Sequence, residues 1–110
     1  MPFVSVFNLR GEDQLSVLEQ AITRALTSMP ELAINDREIN VVPVLRPDGF
    51  DAEVTRINIE LWERAERTKG ALQELATRVA KSFQAVAGDD RRVKVVIKPY
   101  DIERSGWVSL

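Results

Sequence analysis

The order of apolar periodicities constrains this chain more than any other feature. A strand pattern, an amphipathic helix pattern and a second strand pattern follow one another, and the same series then comes again. In the first series, residues 3 to 9 read as a strand, because Phe3, Val4, Val6 and Phe7 are aromatic or β-branched. Gly11 breaks that run, and Glu12 and Asp13 put negative charge where a helix N-terminus favours it. Leu15, Leu18, Ile22, Ala25 and Leu26 recur at three- and four-residue spacing, which predicts a helix over about residues 12 to 29, ended by Pro30. A connector containing Asn35-Asp36-Arg37 leads to a second strand, Ile39 to Leu45. Pro43 places that strand at a sheet edge or a bulge, and Arg46-Pro47-Asp48-Gly49 reads as a turn.

The second series starts at Arg56. Ile57, Ile59 and Leu61 alternate with Asn58, Glu60 and Trp62, the pattern of a half-buried strand. Thr68 is placed to cap a helix whose apolar stripe is Leu72, Leu75, Val79, Ala80, Phe83 and Val86, with Gly88 ending it. Val93, Val95 and Ile97 supply a fourth strand, and Ser105-Gly106-Trp107-Val108 in the tail suggests a short fifth. A helical crossover joins parallel strands. The expectation is therefore an α+β fold of two consecutive β-α-β units, a four-stranded sheet backed by two helices. One domain, 1–110, with pseudo-repeats over about 2–50 and 55–110, accommodates it. Such a sheet leaves one face and two edges uncovered. With Val4, Val6 and Val96 placed on that face, it is too apolar for water, so self-association is expected.

Composition narrows the chemistry. The chain has no cysteine and no histidine, which removes disulfides, thiol nucleophiles, Cys/His zinc sites and every Ser-His-Asp arrangement. Its 5 glycines are scattered and form no phosphate loop, so no cofactor is expected. The net charge is -2 and the 15 basic residues form no single stripe, which gives no reason to expect nucleic acid. No leader-like apolar segment opens the chain, and no run approaches the ~18 residues of a membrane span. A cytoplasmic location is the expectation. Any acid or base must then be a carboxylate, a lysine, a tyrosine or an N-terminal amine. Met1 precedes Pro2, and an initiator Met before a small residue is normally removed. That would leave Pro2 with a free secondary amine at the head of an apolar strand. An α-amino group titrates at roughly 8, and burial or nearby cations bring it toward neutrality.

A second loaded stretch is Trp62-Glu63-Arg64-Ala65-Glu66-Arg67-Thr68-Lys69. It puts Arg64, Arg67 and Lys69 at a helix N-terminus, where cations oppose the helix dipole. One reading is a carboxylate site gripped by arginine. The other is that Glu63 and Glu66 pair with these arginines on a solvated surface. On their own, Asp36 reads equally as a turn former, Lys98 as a solvated strand lysine, and Tyr100 and Trp107 as packing residues.

Taken together, these segments resemble the tautomerase superfamily, the proteins with an amino-terminal proline. Pro2-Phe3-Val4-Ser5-Val6, the first helix and the Ile39–Leu45 strand are similar to the 4-oxalocrotonate tautomerase (4-OT) unit. Arg67-Thr68-Lys69 resembles that family's strand–Gly-Arg-Thr–helix junction, and Pro99-Tyr100-Asp101 through Gly106-Trp107 resembles the tail of macrophage migration inhibitory factor. The resemblance implies a trimer with sites between subunits. It implies Pro2 as general base toward enols or dienoates, or as general acid in the decarboxylase and dehalogenase members. It also implies Arg64 and Arg67 as ligands of a small unsaturated or 2-oxo carboxylate, with Arg37, Lys98 and Trp107 lining the same pocket. Asn35-Asp36-Arg37 resembles the segment of malonate semialdehyde decarboxylases whose aspartate takes part in catalysis, which puts Asp36 beside Pro2 in that role.

Departures bear on the subclass. The 4-OT arginine of the first half falls on Glu12, and the pocket lysine of the migration inhibitory factor group falls on Met29. That group's strand tyrosine and asparagine become Val96 and Lys98, and the dehalogenase histidine is absent. Three readings stay open: a tautomerase, a decarboxylase, hydratase or dehalogenase of the same superfamily, and a non-catalytic ferredoxin-like binding module.

Overall fold

The computed structural model describes residues 2–44, 53–106 and 108–110. In chain order the elements are β1 (Phe3–Phe7), α1 (Leu15–Leu26), two short 3-10 turns (Pro30–Leu32 and Asp36–Glu38), β2 (Asn40–Val44), β3 (Val54–Trp62), α2 (Lys69–Ala87) and β4 (Arg92–Tyr100). The strands form one sheet in the order β2-β1-β3-β4. The β1–β2 and β3–β4 pairs are parallel, and the central β1–β3 pair is antiparallel. This is the doubled β-α-β arrangement expected from the periodicities. β2 is an edge strand, which is where Pro43 belongs, since a proline has no N–H for a second neighbour.

Element boundaries differ from the periodicity where polar side chains intervene. β1 stops at Phe7 because Asn8 takes a left-handed backbone, φ 63°, and donates its side-chain N–H to the Val54 carbonyl at 3.1 Å. α1 starts at Leu15, later than expected, and its first turn carries no acid. Asp13 is instead committed to the Arg10 N–H at 2.7 Å and to Arg91. The same helix stops early, where Ser28 Oγ donates to the Ala25 carbonyl at 2.6 Å. α2 begins as expected, with Thr68 Oγ1 accepting the Ala71 N–H, and ends at Gly88. Val86, placed in its apolar stripe from the sequence, is 45% exposed. No strand is present in the tail among the described residues; an Arg104 N–H to Asp101 carbonyl turn is found there. Leu45 and the Arg46–Gly49 turn lie outside the described residues.

The core lies between the helices and one sheet face. Val4 and Val6 of β1, Ile57, Ile59 and Leu61 of β3, Leu18, Ile22 and Leu26 of α1, and Leu75, Val79 and Phe83 of α2 are buried together. Val4 and Val6 therefore face the helices, which corrects their expected place on the open face. Register is the reason: they stand opposite Ile59 and Ile57, whose side chains point into the core. The open face carries the other parity, Phe3, Ser5 and Phe7 of β1 with Arg56, Asn58, Glu60 and Trp62 of β3. Val96 of β4, in register with Asn58, does lie on it. No helix among the described residues is long and apolar enough to cross a membrane.

Candidate active site

Strand order creates a notch. β1 lies between β2 and β3, and its first residue, Phe3, stands opposite Asn40 on one side and Glu60 on the other. β3 continues two residues further, to Trp62. The head of β1 thus opens between the start of β2 and the end of β3. Pro2 is buried at that point, and its carbonyl accepts the Asn40 N–H at 3.1 Å. A cleft of about 730 Å³ occupies this end of the sheet. Its walls are Ala33, Arg37, Glu38, Asn40, Trp62, Glu63, Arg64, Arg67 and Ile102. Asn40, one of these walls, is the residue hydrogen-bonded to Pro2, which puts the cleft at the same end of the sheet as the head of β1.

The cationic wall is built by the β3–α2 junction. After Trp62 the chain turns, with the Arg67 N–H bonded to the Arg64 carbonyl at 2.9 Å, and α2 then starts from the Thr68 cap. Arg67 is only 8% exposed. Its Nε and Nη2 donate to the Leu32 carbonyl at 3.1 and 3.0 Å, and its Nη1 donates to the Trp62 carbonyl at 2.5 Å. Burial first, then the nearby Arg64 charge, lowers the Arg67 pKa from its ordinary value. An arginine stays protonated even so. Arg64 is different. Its side chain is 51% exposed, and its contact is a loose one with Glu66 at 3.8 Å. Arg37 is an exposed residue of the second 3-10 turn, where its backbone N–H is held by Asn35 Oδ1 at 3.0 Å.

Of the residues singled out from the sequence, Arg37, Arg64 and Arg67 meet in this cleft; Pro2 is not among its walls but is hydrogen-bonded through its carbonyl to Asn40, which is. Asp36 is exposed at the start of its turn and is not among the cleft walls. Lys98 is exposed on β4, in register with Glu60, and is not a wall residue either. Trp107 lies outside the described residues, as does Met1. Residues that composition and spacing had not marked as site residues complete the cleft: Asn40, Trp62, Glu38, Glu63 and Ile102. Trp62 had a visible signal, an aromatic side chain at the last polar-face position of an alternating strand. Its ring packs against Tyr100, centroids 5.9 Å apart. Tyr100 in turn donates its hydroxyl to Glu60 at 2.6 Å, and that bond raises the tyrosine pKa.

Arg37, Arg64 and Arg67 share the cleft walls with two carboxylates, Glu38 and Glu63. Arg37 and Arg64 are exposed there, whereas the Arg67 guanidinium is turned onto the Leu32 and Trp62 carbonyls. Exposed guanidinium groups can form bidentate pairs with carboxylates.

No family model matches the chain, and no curated protein sequence does. Solved structures do. A native fused 4-OT has a TM-score of 0.73 at 18% identity, covering 96% of this chain and 91% of that chain. The FG41 malonate semialdehyde decarboxylase inhibited by 3-bromopropiolate has a TM-score of 0.68 at 16% identity, covering 99% and 89%. A wild-type fused 4-OT described as a symmetric trimer has a TM-score of 0.64 at 15% identity, covering 97% and 92%. The chain has the tautomerase-superfamily fold. Within that fold its similarity extends both to fused 4-OT proteins and to a malonate semialdehyde decarboxylase.

Proposed function

We propose that this protein is an enzyme that moves a proton on a small unsaturated or 2-oxo carboxylate, with the Pro2 nitrogen as the acid–base group. The observation that carries the reading is the notch: a buried proline at the head of β1, at the same end of the sheet as a cleft walled by exposed arginines, Arg37 and Arg64. With Met1 removed, the proline nitrogen is a secondary amine at the end of the sheet that carries the guanidinium groups of the cleft. Both desolvation and those charges favour its neutral form. It takes a proton from one position of the substrate and returns it to another, while arginine stabilises the dienolate that forms between the two steps. A homotrimer is part of this proposal, supported by the trimeric fused 4-OT proteins of the same fold and by an uncovered sheet face.

Asp36 and Arg37, on the turn at the edge of the cleft, together with the likeness to a malonate semialdehyde decarboxylase, favour a second reading. In it Pro2 stays protonated as an acid, and Asp36 orients water or the departing carboxylate in a decarboxylase or hydratase. The pH profile separates the two: activity rises as the amine deprotonates for a base and falls for an acid.

The test is covalent. 3-Bromopropiolate, the compound that inhibits the structurally similar decarboxylase, is incubated with the protein and the product is mapped by mass spectrometry. A chain with no cysteine or histidine offers the electrophile few competitors. One adduct is expected, on the peptide that begins with Pro2. Intact mass showing retained Met1, or labelling scattered over lysines, would leave a binding module of this fold.

A further inference from the structure

We propose that Arg67 is a positioning residue that does not contact substrate, and that Arg64 and Arg37 form the carboxylate-binding pair of the cleft. This rests on the carboxylate reading of the cleft given above. Arginine carries five N–H donors in a rigid fork. In Arg67 three of them are already committed, two converging on the Leu32 carbonyl and one on the Trp62 carbonyl. Rotating that fork toward a ligand would strip both carbonyls of their donors inside the protein, and such groups are costly to leave unpaired.

The bonds also have a geometric purpose. Leu32 ends the first 3-10 turn, and Ala33 beyond it holds a left-handed backbone, φ 54°, which a residue with a Cβ rarely adopts. Trp62 ends β3. Arg67 ties those two backbone points together across 35 and 5 residues of sequence. Ala33 and Trp62 are both cleft walls. The strut therefore fixes the spacing of the walls on either side of the notch that holds Pro2. A lysine could supply the charge but not the fork. Arg64 and Arg37 have the opposite character. Both are exposed wall residues, and the 3.8 Å contact of Arg64 with Glu66 is weak enough to exchange for a ligand.

The experiment follows the arginine Nε–H resonances of the full chain by 1H–15N correlation while malonate, an unreactive small carboxylate, is added. Arg64 and Arg37 are expected to shift saturably. Arg67 is expected to stay in place and to exchange slowly with solvent. Arg64→Gln should weaken malonate binding about tenfold, the loss of one charge-assisted pair. It should also raise the 3-bromopropiolate concentration that half-saturates Pro2 labelling. Arg67→Lys should instead lower the maximal labelling rate and leave half-saturation within about threefold of wild type, because wall geometry rather than binding is lost. Absence of Pro2 labelling with the arginine responses intact would remove the proline chemistry and leave this assignment standing. An Arg67 resonance that moves with malonate as far as that of Arg64 overturns the assignment. So does Arg67→Lys labelling at the wild-type rate, or silence of all three arginines.

Discussion

In the proposed reaction the residue that decides the chemistry is Pro2, and the features that bear on it act through its nitrogen. Replacing it tests the reading without altering how the chain starts, because Met1 before alanine is also removed. Pro2→Ala keeps an amine at the same place, but a primary one with freedom about its N–Cα bond. It is expected to lower turnover by about 10²–10⁴, the range of one general base, with an unchanged far-UV spectrum. The same scale explains why Arg67 and Arg64, three residues apart in one basic stretch, do different things. One is turned inward onto Leu32 and Trp62, and the other is left in the solvent. Nothing in the spacing distinguishes them. Both are arginines preceding a capping threonine, and it is the Leu32 and Trp62 carbonyls that separate the inward-turned Arg67 from the exposed Arg64.

At the scale of elements, the junctions hold the main devices of stability. The entrance to α1 is tied to the start of β4 by a buried ion pair. Arg91 Nη1 and Nη2 meet Asp13 Oδ1 and Oδ2 at 2.8 and 2.5 Å, with the two side chains 2% and 6% exposed. Arg91 Nε also donates to Thr55 Oγ1 at 3.1 Å, and its guanidinium lies 5.7 Å from the Phe83 ring centroid. Asp13→Asn would strand a buried cation and is expected to cost about 3–5 kcal/mol in urea unfolding. The hydrogen bond from Arg91 is the main reason the Asp13 pKa is lowered. A depressed carboxylate adds stability that is complete above its unfolded value, about 4, and is lost as pH falls through its lower folded value. The urea midpoint should therefore decline below about pH 4 in the wild type and less steeply in Asp13→Asn. At the other helix, Gly88 holds φ 125°, and a Cβ there would meet Asp90 Oδ1 at 2.9 Å. Gly88→Ala should lower the thermal midpoint through both strain and contact.

The whole molecule is a sheet with one working face. Helices cover Val4, Val6, Ile57, Ile59 and Leu61, and the other face mixes Phe3, Phe7, Val42 and Val96 with Arg56, Lys94 and Lys98. Phe3 and Val42 are 38% and 39% exposed in the single chain. Under the proposed trimer, light scattering should give three times the 12.4 kDa chain mass. Val96→Glu, midway along edge strand β4 on that face, should shift the protein toward monomer while leaving helix content intact. A wild type that elutes as a monomer would remove the trimer from the proposal.

Much of this architecture is written in local patterns. Period-two alternation in 56–62 and three-and-four spacing in both helices follow from which side chains must leave water, so the doubled β-α-β order and the Thr68 and Gly88 helix ends could be read directly. Pro43 at an edge is equally local, a missing donor. The face of β1 could not be read, because Phe3, Val4, Val6 and Phe7 are apolar on both parities and only pairing with Ile57 and Ile59 selects one. Nor could the roles of Asp13 and Arg67, whose partners lie 78 and 35 residues away. The chain by itself determined its elements and offered a proline with arginines. Tertiary structure alone decided which arginines line the cleft and that this cleft lies at the same end of the sheet as the proline, because strand order and register, not sequence neighbourhood, bring Asn40 and Trp62 to either side of the head of β1.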